Sequence, residues 1–191
     1  MQSAGFVLVG GRSSRMGQDK ARLRIGSGLL VEEIAVKVAH AASRVTLVGA
    51  PERYGDLPFE RLPDLRPGLG PLTGIETALA ANYGNLNLIV GCDMPDLVPE
   101  WLDEIVFSAE RTNALCVVTR DAAGKIHPLC AVYRRECLPL VRQAVDRGRL
   151  KLLDLLKELR AAEIHTAAVI GNLNTPQQLA AHGERANYPL H

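Results

Sequence analysis

The residues best suited to chemistry lie near the start of the chain, where an apolar run passes directly into a segment of glycines and cations. Gly10 and Gly11 let the backbone turn tightly and approach a ligand without an intervening Cβ. Arg12, Arg15 and Lys20 follow within ten residues, so main-chain amides and three cations can converge on one polyanion. This pattern predicts that the segment binds a nucleoside triphosphate.

The spacing of this segment excludes two better-known phosphate loops. The dinucleotide fingerprint G-x-G-x-x-G is absent, and G-x-x-x-x-G-K-[ST] is absent because five residues separate Gly11 from Gly17 and Lys20 lies three further on. The segment instead resembles the G-G-x-x-x-R-M-G-x-D-K signature of nucleotidyltransferases that activate sugars and cofactors, and most of all that of the molybdenum cofactor guanylyltransferases. A chance surface turn is the alternative, but loops this long with so many defined residues are usually functional.

A carboxylate follows a second apolar run. Residues 88–95 read L-I-V-G-C-D-M-P, so Asp93 stands where the predicted strand ends and Pro95 stops it. One Asp with triphosphate oxygens and waters is a typical Mg²⁺ site, and the resemblance assigns the metal to Asp93. The alternative is an ordinary Asp that initiates a turn.

A segment rich in proline and glycine, residues 63–74, resembles the family's D…G-P-L-x-G segment, which lines the base and ribose side of the nucleotide pocket. Gly70 and Gly74 would allow close backbone approach, and main-chain groups would then read the base edge. Asp64 precedes Gly70 by six residues and takes the place of the family's nucleotide-contacting Asp. Asp56 is the alternative for that role.

Two further segments resemble the family's acceptor side. Residues 172–176 read N-L-N-T-P where the family has N-[IV]-N-T-P; a helix cap at Asn174 or Thr175 leaves Asn172 and part of Asn174 to contact the pterin. The second segment, residues 124–129, precedes an A-x-Y strand and has His127 at a position where the family often has Gln. His127 either donates to the acceptor's phosphate or fills a polar wall. Further cations that could bind an anionic acceptor, or simply be solvated, are Arg120, Arg142, Arg147, Arg149 and Lys151.

The resemblance covers nearly the whole chain, with four segments in the same order. It implies an enzyme that transfers GMP from GTP to the phosphate of molybdopterin, releases pyrophosphate and uses Mg²⁺. It implies catalytic roles for Lys20, which neutralises phosphate charge, for Arg15, which grips the pyrophosphate, and for Asp93. The substrate-binding residues that it implies are Leu8, Val9, Gly10, Gly11, Lys20, Asp64, Gly70, Gly74, Asn172 and Asn174.

Other functions remain as alternatives. A cytidylyltransferase of the same superfamily commonly reads A-A-G where this chain has Val9, Gly10 and Gly11, and that difference favours guanine. Other NTP-dependent nucleotidyltransferases, such as those that act on sugar phosphates, are usually longer. A non-catalytic nucleotide-binding or regulatory protein is the alternative from another class. The presence of both Lys20 and Asp93 argues against it, because a binder without activity has no need of both.

Strand and helix patterns alternate along most of the chain, which predicts an α/β fold with an open, mostly parallel sheet and helices on both faces. The expected type is a single Rossmann-like domain of the nucleotide-diphospho-sugar transferase kind, with a nucleotide-binding half to about residue 110 and an acceptor-binding half over about 111–191. Ligands of such sheets bind beyond the carboxyl ends of the strands. Strands are predicted at residues 6–9, 45–48, 86–90, 114–119 and 129–133, and a last helix is predicted to begin at Pro176.

Composition sets further limits. The 191 residues carry a net charge of +1, which predicts no general attraction to nucleic acid or to a membrane surface. The four cysteines include no C-x-x-C pair and are expected to be buried, reduced thiols. An early first strand predicts no signal peptide, and no apolar segment approaches the roughly 18 residues of a membrane span. We therefore expect a cytoplasmic protein, with transient contacts to molybdoenzymes or cofactor-delivery proteins implied by the resemblance.

Overall fold

The structure is a computed structural model that describes residues 3–9, 19–25, 28–173 and 178. Its strands are β1 (Ser3–Leu8), β2 (Arg24–Ile25), β3 (Gly28–Leu29), β4 (Val45–Gly49), β5 (Glu60–Pro63), β6 (Leu86–Gly91), β7 (Cys116–Arg120), β8 (Ile126–Arg134) and β9 (Ala162–His165). Its α-helices are α1 (Leu30–Ala41), α2 (Pro71–Ala80), α3 (Pro99–Glu110), α4 (Leu138–Asp146) and α5 (Leu152–Glu158).

In the described part of the chain, seven strands form one sheet in the order β5-β4-β1-β6-β8-β7-β9. β1 runs parallel to β4 and to β6, β4 runs parallel to β5, and β7 runs parallel to β9. β8 is antiparallel to both of its neighbours, β6 and β7. The prediction of a mostly parallel sheet is therefore confirmed, and the carboxyl ends of β1, β4, β6, β7 and β9 all lie at one edge.

The two faces of the sheet bury separate cores. Helices α1 and α3 cover one face, where Val7 and Val90 belong to the same buried cluster as Ile34 and Ile105. Helices α2, α4 and α5 cover the other face, which buries Phe6 and its neighbours. Because successive strand residues point to opposite faces, strands covered on both sides need the continuous apolar runs seen in the sequence. Helices on both faces were predicted, and this prediction is confirmed.

Several boundaries differ from those expected. Helix α2 begins at Pro71, inside the segment rich in proline and glycine (residues 63–74), because Pro71 occupies a first-turn position and Gly70 precedes it at φ 93°. β8 begins at Ile126 and so includes Pro128, before the predicted start. β2, β3, β5, β9 and α4 were not predicted. The helix expected from Pro176 lies outside the described residues.

All four cysteines are buried and unpaired. Burial raises the pKa of the Cys130 thiol to about 12, so that this thiol remains protonated at neutral pH. Within the described ranges, no helix has the length and apolarity that a bilayer span requires.

Candidate active site

The ends of β1 and β6 lie side by side at the carboxyl edge of the sheet. The Cys92 amide donates to the Leu8 carbonyl at 3.3 Å, and the Val9 amide donates to the Val48 carbonyl at 2.8 Å. Asp93 therefore follows β6 next to the point where the glycine- and cation-rich segment leaves β1. The predicted site residues Gly10, Gly11, Arg15 and Asn174 lie outside the described residues.

Lys20 begins a short 3₁₀ turn, Lys20–Arg22, that is fastened to the core by Asp19. One carboxylate oxygen of Asp19 accepts from the Ala21 amide at 3.1 Å, and the other accepts from the hydroxyl of Tyr54 at 2.8 Å. Tyr54 is fully buried, and burial together with this hydrogen bond raises the pKa of its hydroxyl. The phenol therefore remains a donor, and the turn that carries Lys20 has a fixed place.

The buried thiol of Cys92 precedes Asp93 at the end of β6. Burial, together with the negative charges of Asp93 and Asp19, raises the pKa of the Cys92 thiol to about 12, and the positive charge of Lys20 opposes this rise. Lys20 and Asp93, which are distant in sequence, therefore both influence the charge of this thiol near the carboxyl edge of the sheet.

Asp93 offers a carboxylate that suits a divalent cation. Its side chain is half-buried and lies over Gly91, where an added Cβ would come within 3.0 Å of Asp93 Oδ1. Its carboxylate oxygens accept no hydrogen bond from the residues that the structure describes, and no cluster of three metal-ligating side chains occurs among those residues. A single carboxylate fits a cation whose other ligands are triphosphate oxygens and water, as is usual for Mg²⁺.

The carboxyl edge of the sheet is here called the crevice. On its β5 side, Asp64 closes the loop of residues 64–70 that leads into α2, here called the Gly70 loop. Its Oδ2 accepts from the Thr73 hydroxyl at 2.9 Å, and its Oδ1 accepts from the Arg66 amide at 3.0 Å. Its own amide donates to the Gly49 carbonyl at 3.1 Å, which fixes the loop at the end of β4. Asp64 therefore shapes the segment that carries Gly70.

The two other residues weighed for this side have distinct surroundings. Gly74 lies against β1, since an added Cβ would come within 3.0 Å of Leu8 Cδ1, so α2 approaches the strand closely. Asp56 forms a two-point ion pair with Arg22 at 2.9 and 2.7 Å, and the hydrogen bonds from Arg22 lower the pKa of Asp56 to about 2. The Asp56 carboxylate therefore binds Arg22, and it is not part of the loop that carries Gly70.

Directly after β7 lies a buried carboxylate, that of Asp121, which the sequence analysis did not single out. Asp121 and His127 are each 3% exposed, and His127 Nε2 lies 2.9 Å from Asp121 Oδ2. Burial alone would raise the pKa of Asp121, but hydrogen bonds from His127 and from the amides of Lys125 and Ile170 outweigh it and lower the pKa to about 2. Asp121 therefore stays ionised. No local sequence pattern marks this role, because it depends on the distant amide of Ile170 as well as on His127.

The cations considered for acceptor binding differ in their partners. Arg120 pairs with Glu163 at 2.6 Å, and Arg149 pairs with Glu158 at 3.0 Å. Arg142 lies 3.5 Å from the buried Glu76. Arg147 and Lys151 are exposed on the connection between α4 and α5.

With this geometry in place, comparison with known proteins assigns the family. The model of the MobA-like NTP transferase domain matches residues 5–172. The chain belongs to this family. Its members are nucleotidyltransferases, and this chain is accordingly a transferase of that class. It is 33% identical over 182 residues, 95% of this chain and 91% of the relative, to a protein of Carboxydothermus hydrogenoformans named probable molybdenum cofactor guanylyltransferase.

Solved structures share the fold. The molybdopterin-guanine dinucleotide biosynthesis protein A of Archaeoglobus fulgidus superposes with a TM-score of 0.81 at 22% identity, covering 96% of this chain and 98% of that one. A Mycobacterium tuberculosis protein in complex with manganese superposes with a TM-score of 0.75 at 19% identity, covering 96% and 99% of the two chains. These similarities confirm the predicted nucleotide-diphospho-sugar transferase type of fold.

Proposed function

We propose that this protein transfers GMP from GTP to the phosphate of molybdopterin, releasing pyrophosphate and forming a guanine dinucleotide cofactor. The observation that carries the proposal is the position of Asp93 at the end of β6, beside the end of β1, in a chain whose residues 5–172 match the MobA-like NTP transferase domain. The names of the curated relatives, molybdenum cofactor guanylyltransferases, support the choice of GTP and of the acceptor.

In the proposed reaction, an oxygen of the acceptor's phosphate attacks the α-phosphorus of GTP. The new P–O bond forms as the bond from the α-phosphorus to the bridging oxygen breaks, and pyrophosphate leaves with that electron pair. An ionised phosphate is already a nucleophile, so the protein contributes mainly position and charge neutralisation. Lys20 stabilises charge that develops on the phosphates, and Arg15 retains the role of holding the leaving pyrophosphate.

A divalent cation completes the proposed site. Asp93 is the residue that would hold it, and the manganese complex of the similar mycobacterial protein supports a divalent ion at this fold. When bound, Mg²⁺ would neutralise negative charge on the triphosphate. The main chain at Leu8, Val9, Gly10 and Gly11 positions the nucleotide, and Asn172 with Asn174 contacts the pterin.

A direct assay tests the proposed function. The purified protein is incubated with GTP, molybdopterin and Mg²⁺, and pyrophosphate and the dinucleotide product are both measured. We expect pyrophosphate release that requires molybdopterin and equals the product formed. Binding of GTP with no pyrophosphate release would instead favour the non-catalytic alternative.

The choice of base gives a second test. The Gly70 loop and the start of α2 should present main-chain groups to the amide edge of guanine, and cytosine would leave some of them unpaired. Each buried unpaired group costs about 1–3 kcal/mol, so two predict roughly a hundredfold preference for GTP over CTP. Competition of GTP, CTP and ATP at one acceptor concentration measures this preference. Equal use of CTP would reject the guanylyl assignment and favour a cytidylyltransferase, while leaving nucleotidyl transfer intact.

Replacement of Lys20 by Ala tests its proposed part in the reaction. Because the ammonium acts mainly on charge that grows in the transition state, we expect kcat to fall by about a hundredfold and GTP affinity to change much less. Single-turnover rates and equilibrium GTP binding separate the two effects. Lys20→Arg, which keeps the charge, should retain more of the rate. Loss of GTP binding with an unchanged rate would make Lys20 a simple ground-state contact.

We also propose a cytoplasmic setting, with transient contacts to molybdoenzymes or to proteins that deliver the cofactor. Four unpaired thiols, at Cys92, Cys116, Cys130 and Cys137, support a reducing compartment.

A further inference from the structure

The turn between β7 and β8, residues 121–125, lies on the opposite side of Asp93 from the nucleotide-side loops. In the sheet order, β5 and β4 flank β1 on one side, whereas β8 and β7 follow β6 on the other. Because β8 is antiparallel to both β6 and β7, the end of β7 lies at the same edge as Asp93. A side chain that reaches into the crevice from this turn would therefore meet the second substrate and not the nucleotide base.

The buried carboxylate of Asp121 fastens this turn. Its Oδ1 accepts from the amides of Ala123 and Lys125 at 3.0 and 2.9 Å. Its Oδ2 is shared by His127 Nε2 at 2.9 Å and the amide of Ile170 at 3.3 Å. One ionised group thus fixes the backbone at Lys125 and also binds a segment that follows β9.

That segment, residues 166–173, is here called the strap. It is bound to the turn because the Ala122 amide donates to the Ala168 carbonyl at 3.0 Å. At its other end, the Leu173 amide donates to the Asp93 carbonyl at 2.8 Å. The side chains of Ile170 and Leu173 are buried in the core on the α1 and α3 face. The strap therefore runs along the crevice edge from β9 to Asp93 in a defined position.

The strap orients the Lys125 side chain through a neutral partner. Lys125 is exposed, and its Nζ donates to Asn172 Oδ1 at 2.8 Å. Asn172 is neutral, whereas the neighbouring Arg120 is neutralised by Glu163 through two hydrogen bonds of 2.6 and 3.0 Å. Among the described residues, no carboxylate forms a salt bridge with Lys125. The Lys125 ammonium is therefore held by the amide of Asn172, one residue from Leu173, whose amide donates to the Asp93 carbonyl, and it can bind an anion there.

We propose that Lys125 binds the phosphate monoester of the acceptor, with Asn172 and the buried Asp121 as its positioning residues. The proposal rests on the proposed function, because that function supplies a phosphate monoester as the second substrate. A phosphate has several terminal oxygens, so Lys125 can bind one oxygen while another faces the α-phosphorus of GTP. A charge-assisted hydrogen bond of this type is about twice as strong as a neutral one.

The test uses Lys125→Gln, which keeps a polar side chain, one bond shorter, and removes the charge. Initial rates are measured with varied molybdopterin at saturating GTP, and then with varied GTP. We expect the KM for molybdopterin to rise by about tenfold, while the KM for GTP stays within about twofold of the original. Lys125→Arg should restore most of the acceptor affinity. The difference from the original protein should shrink as salt is added, because the lost interaction is ionic.

The matched control is Lys157→Gln, which removes the same charge from an exposed position on α5 and should leave both KM values unchanged. Binding of molybdopterin without GTP, followed by its own absorbance, provides a readout independent of turnover. An unchanged acceptor affinity in Lys125→Gln, or an equal weakening of both substrates, would overturn the proposal. Binding through Lys125 without GMP transfer would instead overturn the proposed function and leave Lys125 as an anion site, whereas a protein that neither binds nor transfers would overturn both.

Discussion

Asp93→Asn is expected to lower Mg²⁺-dependent turnover by about a hundredfold or more while leaving the fold intact. The amide keeps the size of the side chain but cannot supply the negative charge that a divalent cation requires. The backbone bond that the Asp93 carbonyl accepts from Leu173 does not involve the side chain, so the strap should remain in place. Turnover at varied Mg²⁺ and the temperature of unfolding separate loss of the metal site from loss of structure.

Asp103→Asn is the matched control for this substitution. Asp103 lies on α3 and pairs with His40 at 2.8 Å, on the surface between α1 and α3. The control should retain full turnover and the same dependence on Mg²⁺. Activity of Asp93→Asn within about threefold of the original would move the metal elsewhere, and Asp64 would then be the first candidate.

Gly49→Ala is expected to destabilise the protein by at least about 3 kcal/mol and to abolish most activity. Gly49 ends β4 with φ 153°, and an added Cβ would overlap the carbonyl oxygen of Val9. Both atoms are tied to backbone, so the overlap can be relieved only if β4 or the end of β1 moves. Val9 leads directly into the glycine- and cation-rich segment, and its displacement would shift the predicted triphosphate site.

Thermal unfolding and turnover of Gly49→Ala are compared with those of Gly55→Ala. Gly55 has φ −63°, and an added Cβ there would contact nothing within 4 Å. A loss of about 3 kcal/mol corresponds to roughly 6–12 °C in the temperature of unfolding for a chain of this size. If both variants unfold at the same temperature as the unsubstituted protein, Gly49 and Val9 are not in close contact.

The elements that sequence predicts best are those whose side chains are buried on both faces. β1 and β6 are continuous apolar runs, and their ends carry the residues with the clearest chemistry. β5 was missed because Glu60 and Arg61 are exposed and its place depends on main-chain pairing with β4. The reversed direction of β8 could not be predicted, because an apolar strand buried in the centre of a sheet has the same pattern in either direction.

The residues of the candidate site also differ in whether the sequence alone marks them. Asp93 stands out in the sequence because it follows a strand and precedes a proline. Asp121 does not stand out in the sequence. Its role depends on His127 and on the amide of Ile170, and the Ile170 amide reaches Asp121 only because β9 pairs with β7. Residues whose function depends on partners far away in sequence have no local pattern from which to predict them.

The hydrogen bond from Leu173 to Asp93 has a thermodynamic consequence for the order of events at this site. The strap bonds Lys125, the proposed acceptor contact, through Asn172 and bonds Asp93, the proposed metal ligand, through Leu173, so the two sides meet at adjacent residues of one short peptide. If the acceptor shifts the strap, it changes the affinity of the Asp93 side for cation and nucleotide. By linkage, cation and nucleotide must then change the affinity for the acceptor by the same factor. A preferred sequence of substrate binding would then be a property of this peptide, with no larger movement of the sheet required.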